Sequence, residues 1–368
     1  MILISLVLGL GCAKPEVAEI EPVKLPNVAV SDLGKRTVVL YNKKVPGSKE
    51  LAEFYASKRG IPPSHIAITN VAETEEMALG ELTEGLYVHL RTKIKELVDQ
   101  GEKIDFIVFS KGIPLRTWQD RHYSVDGYVS TMDMQLPHVK NDPPTGEELQ
   151  KIANPYFGKS EPFSHAKYGF YLVTRLDGYT FEDARRLVEN AARALPNKGP
   201  FFLDSDPGRR SGGYEHLEKS LANSEKNLKS KGYEVVLEST DLFVKPGQPV
   251  AGYASWGSND GHFDLGAYRG IQFKPGAIAE TFVSTSGRTF IPGTEGGQSL
   301  IADLVRSGVT GVKGYVKEPY AFALAKPDIL FDRYTSGFTL AESFYMASPL
   351  LKWKDIIVGD AICAPYKK

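Results

Sequence analysis

Short apolar segments alternate with amphipathic ones along this chain, and this alternation limits the fold more than any other feature of the sequence. TVVLYN (37–42) is an apolar run of strand length, and SKELAEFYASKRG (48–60) follows it with an apolar stripe at helical spacing. The same order recurs in HIAIT (65–69), LYVHLRTKIKELVDQG (86–101), IDFIVFS (104–110), YGFYLVTRL (168–176) and the helical pattern that begins after Thr180. Such alternation predicts an α/β fold in which helices flank a mainly parallel sheet.

A second series of the same kind fills the C-terminal half. Its predicted strands are 201–204, 233–238, 277–285, 311–316 and 355–360, and its predicted helices are 213–232, 299–308 and 339–347. We therefore expect two consecutive α/β units, an N-terminal subdomain over 36–195 and a C-terminal subdomain over 196–368. Residues 112–165 lack a sustained period, which predicts a long irregular insertion in the first unit.

The N-terminus has the pattern of an export signal. An apolar run of eleven residues, MILISLVLGLG, ends at Cys12, and a polar, proline-containing stretch follows. The run is too short to span a bilayer but has the length of a signal-peptide apolar region. It resembles a bacterial lipoprotein signal, which implies that residues 1–12 are a signal peptide, that Cys12 carries lipid and that residues 13–35 form a tether. We therefore expect an exported protein, either membrane-anchored through its N-terminal lipid or periplasmic or extracellular.

Net charge and cysteine content limit the classes of binding partner and the disulfide bonds that the sequence allows. The formal net charge is −1 and no long run of Lys or Arg occurs, so the sequence predicts no nucleic-acid partner. The two cysteines are Cys12 and Cys363, which leaves Cys363 unpaired if Cys12 is lipidated. No cofactor and no metal is predicted, although Asp204, Asp206 and Asp260 are oxygen ligands of the kind that calcium prefers.

Reactive side chains follow three of the predicted strands. In open α/β sheets, sites form beyond the carboxyl ends of the strands. The sequence places FFLDSDPG, GYASWGSNDGH and TFVSTSGRTF at such ends. Ser284 with His262 has the residue types of a nucleophile and its base, and backbone N–H groups near Gly257 or Gly287 could stabilise an oxyanion. A turn in which Ser284 satisfies backbone groups is the alternative. His89 and His216 lie within helical patterns, where a solvated or core-edge histidine is usual.

Several longer segments resemble a family of uncharacterised exported bacterial proteins. The similar segments are VVLYNKKVPGSKELAEFYASKRGIP (38–62), FIVFSKGIPLR (106–116), YSVD (123–126), YGFYLVTRLDG (168–178), GYASWGSND (252–260), PGAIAETFVSTSG (275–287), LVRSGVTGVKGYVKEPY (304–320) and WKDIIVGDAICAP (353–365). The resemblance covers the chain from about residue 36 onward, and it supports the organisation described above rather than an activity.

A more distant resemblance is to the gingipain-type cysteine peptidases of the caspase-like fold. In that family a His-Gly pair ends one strand and the nucleophilic Cys ends the next. The His position falls on Trp256 before Gly257, and the Cys position falls on Ser284. An indole N–H donates a hydrogen bond but accepts no proton at neutral pH, so Trp256 is not a general base. The resemblance thus implies a caspase-like domain that has lost the Cys/His mechanism.

Two functions remain open on the sequence. The first is a degenerate caspase-like binding or structural module at the cell envelope, whose partner is a peptide, glycan or protein. Its predicted binding residues are Tyr253, Trp256, Gly257, Ser258, Asn259 and Asp260, because flat aromatic rings beside polar turns suit a binding cleft. The second is a hydrolase with a rebuilt site that uses Ser284 and His262.

Overall fold

The computed structural model describes residues 30–120, 123–294 and 296–367. Its strands are β1 Thr37–Asn42, β2 Ile66–Thr69, β3 Glu76–Met77, β4 Phe106–Ser110, β5 Arg116–Thr117, β6 Leu172–Leu176, β7 Phe201–Asp204, β8 Val235–Glu238, β9 Val250–Ser255, β10 Phe273–Thr281, β11 Gly311–Tyr315 and β12 Asp355–Gly359. Its helices are α1 Val30–Lys35, α2 Ser48–Arg59, α3 Tyr87–Asp99, α4 Val125–Ser130, α5 Gly146–Lys151, α6 His165–Tyr168, α7 Phe181–Ala192, α8 Glu215–Ser230, α9 Leu265–Arg269, α10 Ile301–Arg306, α11 Pro327–Thr335 and α12 Leu340–Ala347.

One sheet of ten strands runs through both predicted units. Its order is β2-β1-β4-β6-β12-β11-β10-β9-β7-β8, and β3 pairs with β5 in a separate small sheet. The pairings within β2-β1-β4-β6 and within β11-β10-β9-β7-β8 are parallel, whereas β12 runs antiparallel to β11. The predicted fold class, an α/β fold with a mainly parallel sheet, is confirmed. The two units differ from the expectation in one respect, because they share a single continuous sheet.

Helices cover both faces of this sheet. Along β1, Val39 and Tyr41 belong to one apolar cluster and Val38 and Leu40 to another, as the alternation of side chains along a strand requires. The first cluster extends under α2 and α7, and the second extends under α3 and α4. Strands that are buried on both faces are continuous apolar runs, which explains why β1 and β4 could be recognised as strands from the sequence.

The carboxyl ends of strands in the two halves lie at the same edge of the sheet. Arg116, which follows β4, donates to the carbonyl of Arg288, which follows β10, at 2.5 Å. The Thr289 hydroxyl, in the same loop after β10, donates to Glu75 at 2.9 Å. Loops of the first half therefore support the loop that follows β10.

The last strand joins the halves. β12 lies between β6 and β11, and a register pair between Val358 and Arg175 links it to β6. Asp360, directly after β12, accepts hydrogen bonds from the Tyr55 hydroxyl at 2.8 Å and from Arg59, both in α2. Residues near the end of the chain thus complete the core of the N-terminal half.

Some predicted elements differ in extent. The segment 112–165 contains β5, α4 and α5, so it is more ordered than an irregular insertion. The strand predicted over 277–285 ends at Thr281, and α11 was not predicted at all. No helix in the described part of the chain is both long and apolar enough to cross a membrane. The predicted signal peptide, Cys12 and most of the predicted tether lie outside the described residues.

Candidate functional site

Three neighbouring strands bring their carboxyl ends together at one edge of the sheet. β10, β9 and β7 are adjacent and parallel, and they end at Thr281, Ser255 and Asp204. The loops that follow carry the predicted site residues, Trp256 to Asp260 after β9 and Ser284 after β10. The strand-end argument made from the sequence therefore predicts correctly which loops meet.

Trp256 lies inside this edge of the sheet rather than on its surface. Its side chain is 2% exposed. The rings of Tyr214 and Phe282 pack edge-on against the indole, with centroids 5.5 Å and 4.9 Å away. The indole Nε1–H donates to Glu218 Oε1 at 2.6 Å. Trp256 thus fills the position after β9 and leaves very little of its ring exposed for stacking on a ligand.

Glu218 links two of the strand-end loops. Besides the indole, its carboxylate accepts the Ser205 hydroxyl at 2.5 Å and the Asp206 backbone N–H at 3.2 Å. Glu218 lies near the start of α8, the helix that follows β7, and its side chain is buried. A buried carboxylate needs such donors, because an unpaired buried charge is costly. Glu218 therefore holds the loop after β7 against the loop after β9.

Gly257 allows the chain to turn directly after Trp256. Its φ of 51° lies in the left-handed region, and a Cβ there would come within 2.8 Å of a Val283 methyl group. The turn positions Ser258, whose hydroxyl accepts the Ser299 N–H at 2.8 Å, and Asn259, whose amide donates to the Phe282 carbonyl at 2.6 Å. Both predicted binding side chains are thus engaged in holding the loops together.

The groups predicted to stabilise an oxyanion have partners within the protein. The Gly257 N–H donates to the Ser255 hydroxyl at 3.1 Å, and the Gly287 N–H donates to the Tyr315 carbonyl at 2.9 Å. An oxyanion hole needs donors that point at the reacting atom. Neither of these two N–H groups meets that requirement in this structure.

Ser284 lies on a cleft of about 580 Å³ that we call the carboxyl-edge cleft. Aromatic and small apolar residues line it together with the polar side chains Arg209, His216, Asn259, Ser284 and Glu318. The aromatic members are Tyr214, Trp256, Phe282, Tyr320 and Phe322. Ser284 is partly exposed, and its hydroxyl makes no hydrogen bond with any described residue.

The histidine on this cleft is His216, not His262. His262 is exposed, lies outside the cleft lining, and uses its backbone N–H to bond Asp260 Oδ1 at 2.6 Å. The described residues show no hydrogen bond between Ser284 and either histidine. His216 Nε2 lies 3.1 Å from the Ala321 carbonyl. Burial, assisted by the ammonium of Lys326, lowers the pKa of His216.

Tyr320 has an unusual backbone at the rim of the cleft. Its φ of 65° and ψ of 153° fall in a region that residues other than glycine rarely adopt. The Tyr320 N–H donates to Glu318 Oε1 at 2.9 Å, its hydroxyl bonds Asp142, and its ring stacks on Phe322 with centroids 5.5 Å apart. Such strain costs about 1–3 kcal/mol and tends to occur at functional sites.

Two other predicted residues lie below the cleft, among acidic side chains. Tyr253 is fully buried and its ring stacks on Phe202. Asp260 is 8% exposed, and burial raises the pKa of its carboxyl group. Burial, and after it the nearby Asp260, raises the pKa of Asp204 to about 8, and neither oxygen of Asp204 has a hydrogen-bond partner. Within the described ranges no group of three or more His, Cys, Asp or Glu side chains is arranged to hold a metal ion.

The comparisons with known proteins concern the fold. A solved structure titled "Structure of Protease" matches with a TM-score of 0.51 and 10% identity, over 90% of this chain and 78% of that one. Separase, from the structure of the Saccharomyces cerevisiae separase–securin complex, matches with a TM-score of 0.37 and 10% identity, over 51% of this chain and 14% of the other. The chain has a caspase-like fold. No family model matches this sequence, and no curated protein does.

Several residues in or beside the cleft were not predicted from the sequence, and among them Glu218 lies outside the cleft lining. Glu218, Tyr214 and His216 belong to the start of α8 and the residue before it, and a helix that follows a parallel strand begins at the carboxyl edge. That rule could have identified them. Tyr320 and Phe322 follow β11 at the same edge, in the segment KEPYAF, in which the sequence predicted no site residue.

Proposed function

We propose that this chain is a binding module with a caspase-like fold, and that its carboxyl-edge cleft holds a ligand without cleaving it. The observation that carries the proposal is the state of Trp256. Its indole is buried and bonded to Glu218, and the sequence resemblance aligns Trp256 with the histidine of the gingipain-type peptidases. A group that donates its only polar hydrogen to a buried carboxylate is not a base, which supports a site without the Cys/His mechanism.

The ligand that suits the cleft is an extended peptide with an apolar or aromatic side chain. Five aromatic residues line the cleft, and Asn259, Arg209 and Glu318 already bond other parts of the protein. A glycan would require several polar side chains without partners of their own. Apolar walls with few free polar groups favour burial of a side chain instead.

The test is binding of a displayed peptide library to the full chain, compared with two variants. Ser284→Trp places a large ring in the cleft, and we expect it to weaken binding of selected peptides at least tenfold. Ser239→Trp places the same ring at an exposed position outside the cleft and is expected to change binding less than twofold. Equal binding by both variants would contradict the location of the site.

The hydrolase alternative has one observation in its favour, since Ser284 and His216 line the same cleft. A fluorophosphonate probe separates the two functions. We expect no labelling that Ser284→Ala abolishes. Ser284-dependent labelling that is lost in His216→Gln and kept in His262→Gln would replace the binding module by a rebuilt hydrolase.

Export and lipid anchoring remain part of this proposal. The supporting feature is the apolar run that ends at Cys12. Metabolic labelling with an alkyne-tagged fatty acid tests it. We expect label on the full chain and none on Cys12→Ser, while label on both proteins would exclude Cys12 as the site.

A further inference from the structure

A second cavity lies at the opposite edge of the sheet, next to the amino ends of the strands. We call it the amino-edge pocket. It is lined by Arg36, Asp105 and Tyr171, which directly precede β1, β4 and β6, and by one face of α3. Its volume is about 560 Å³, within the range of small-molecule sites. It shares no residue with the carboxyl-edge cleft.

The walls of the amino-edge pocket are apolar. Ile94 and Val98 of α3 form one side, and Ile104, Met132 and Tyr171 form the rest. Ile94, Ile104, Met132 and Tyr171 are buried, whereas Val98 is 52% exposed and stands at the mouth. Filling such a space with an apolar group removes this surface from water, at about 25 cal/mol per Å².

The carboxylates of the pocket already have partners. Arg36 and the His165 N–H both bond Asp105. The Tyr171 hydroxyl donates to Asp133 at 2.7 Å, and Arg91 lies 3.4 Å from the same carboxylate. These carboxylates are therefore compensated within the protein, and Glu102 is the other acidic side chain of the lining.

The hydrogen-bonding capacity that remains is mostly donor capacity. Each guanidinium has five N–H groups, and Arg36 and Arg91 use only part of theirs. Lys103 is exposed and makes no ion pair with a described residue, and Lys95 at the rim is exposed as well. Apolar walls with cationic donors at the mouth complement a molecule that has one anionic end and an apolar body.

We propose that the amino-edge pocket binds a free medium-chain fatty carboxylate. The hydrocarbon chain lies between Ile94, Val98 and Met132, and the carboxylate meets Arg36, Arg91 and Lys103 at the mouth. This site is independent of the carboxyl-edge cleft, so neither proposal depends on the other.

Calorimetric titration of the full chain with decanoate tests the site, with decyltrimethylammonium as a ligand of equal chain length and opposite charge. We expect saturable binding of decanoate and affinity at least tenfold lower for the cation. A ligand that binds only the folded protein also raises its melting temperature. Equal affinity for both ligands, or no binding of decanoate, would overturn the proposal.

Matched variants localise the binding. Val98→Glu places a negative charge at the mouth and is expected to weaken decanoate binding at least tenfold. Val88→Glu is its control, because Val88 is also 52% exposed on α3 but does not line the pocket. Lys103→Gln is expected to weaken binding about threefold. Equal effects of the two valine variants would place decanoate elsewhere.

Discussion

The indole of Trp256 has a structural role that a single substitution can measure. Trp256→Phe keeps an aromatic ring between Tyr214 and Phe282 but removes the donor to Glu218. We expect a loss of roughly 1–3 kcal/mol in the free energy of unfolding, the usual contribution of a hydrogen bond to a charged group, because Ser205 and Asp206 are then the remaining donors to Glu218. Denaturant unfolding measures it. Trp118→Phe is the control, because Trp118 is 53% exposed, and equal losses in both variants would contradict the role of the Glu218 bond.

Asp204 gives the protein a pH-dependent stability. Its pKa is about 8 in the folded protein against an ordinary value of 3.8, so the folded state binds the proton more tightly. The contribution of this group to stability is complete below about pH 4 and is lost as the pH rises toward 8. Each pH unit in this window corresponds to about 1.4 kcal/mol at most.

Asp204→Asn removes this dependence. We expect the variant to melt higher than the wild type at pH 8, with a difference that shrinks or reverses at pH 5, in thermal scans at both pH values. Asp241→Asn is the control, because Asp241 is exposed. A difference between variant and wild type that is the same at both pH values would contradict the raised pKa of Asp204.

The sequence indicated where some residues of the candidate site lie but not which side chains contact each other. Trp256 and Ser284 lie after the ends of β9 and β10, as expected, because each follows an apolar segment that the sequence identifies as a strand. It could not pair Trp256 with Glu218, because that contact joins residues 38 positions apart. The proposed partnership of Ser284 with His262 rested on distance along the chain, and the fold places His216 on the cleft instead.

At the scale of elements, the turn after β9 depends on Gly257. Gly257→Ala is expected to lower the free energy of unfolding by roughly 1–3 kcal/mol, since a side chain at positive φ is strained and its Cβ would meet Val283. Chemical unfolding again measures the change. In Gly261→Ala, four residues along the same loop, the Cβ meets nothing within 4 Å. A similar loss in both variants would show that general loop effects dominate.

The predicted boundary of a strand was wrong where an apolar run extends beyond the residues that pair in the sheet. Phe282 and Val283 continue the apolar pattern of β10, yet the strand ends at Thr281 because the Val283 N–H turns back to bond the Thr281 carbonyl at 2.8 Å. The helix α11 was missed because most of its residues are buried, so it lacks the polar stripe by which a surface helix is recognised.

At the scale of the whole molecule, the two halves depend on each other. Asn154 bonds the carbonyls of Tyr345 and Ser348 at 2.8 Å, and the Val173 N–H donates to the Tyr345 hydroxyl at 3.0 Å. We therefore expect residues 30–195, expressed alone, to lack a cooperative thermal transition. Circular dichroism and calorimetry check this expectation against the full chain. A fragment that melts cooperatively would show that the N-terminal half folds independently.

The place of β12 in the sheet has a consequence for how the protein is made. Of the strands in the described part of the chain, β12 is synthesised after all the others, yet it occupies the middle of the ten-stranded sheet. Until it emerges, β6 and β11 each have an open edge, and open edges invite pairing with other chains. The nascent protein therefore carries two open strand edges throughout the interval between the synthesis of β11 and that of β12.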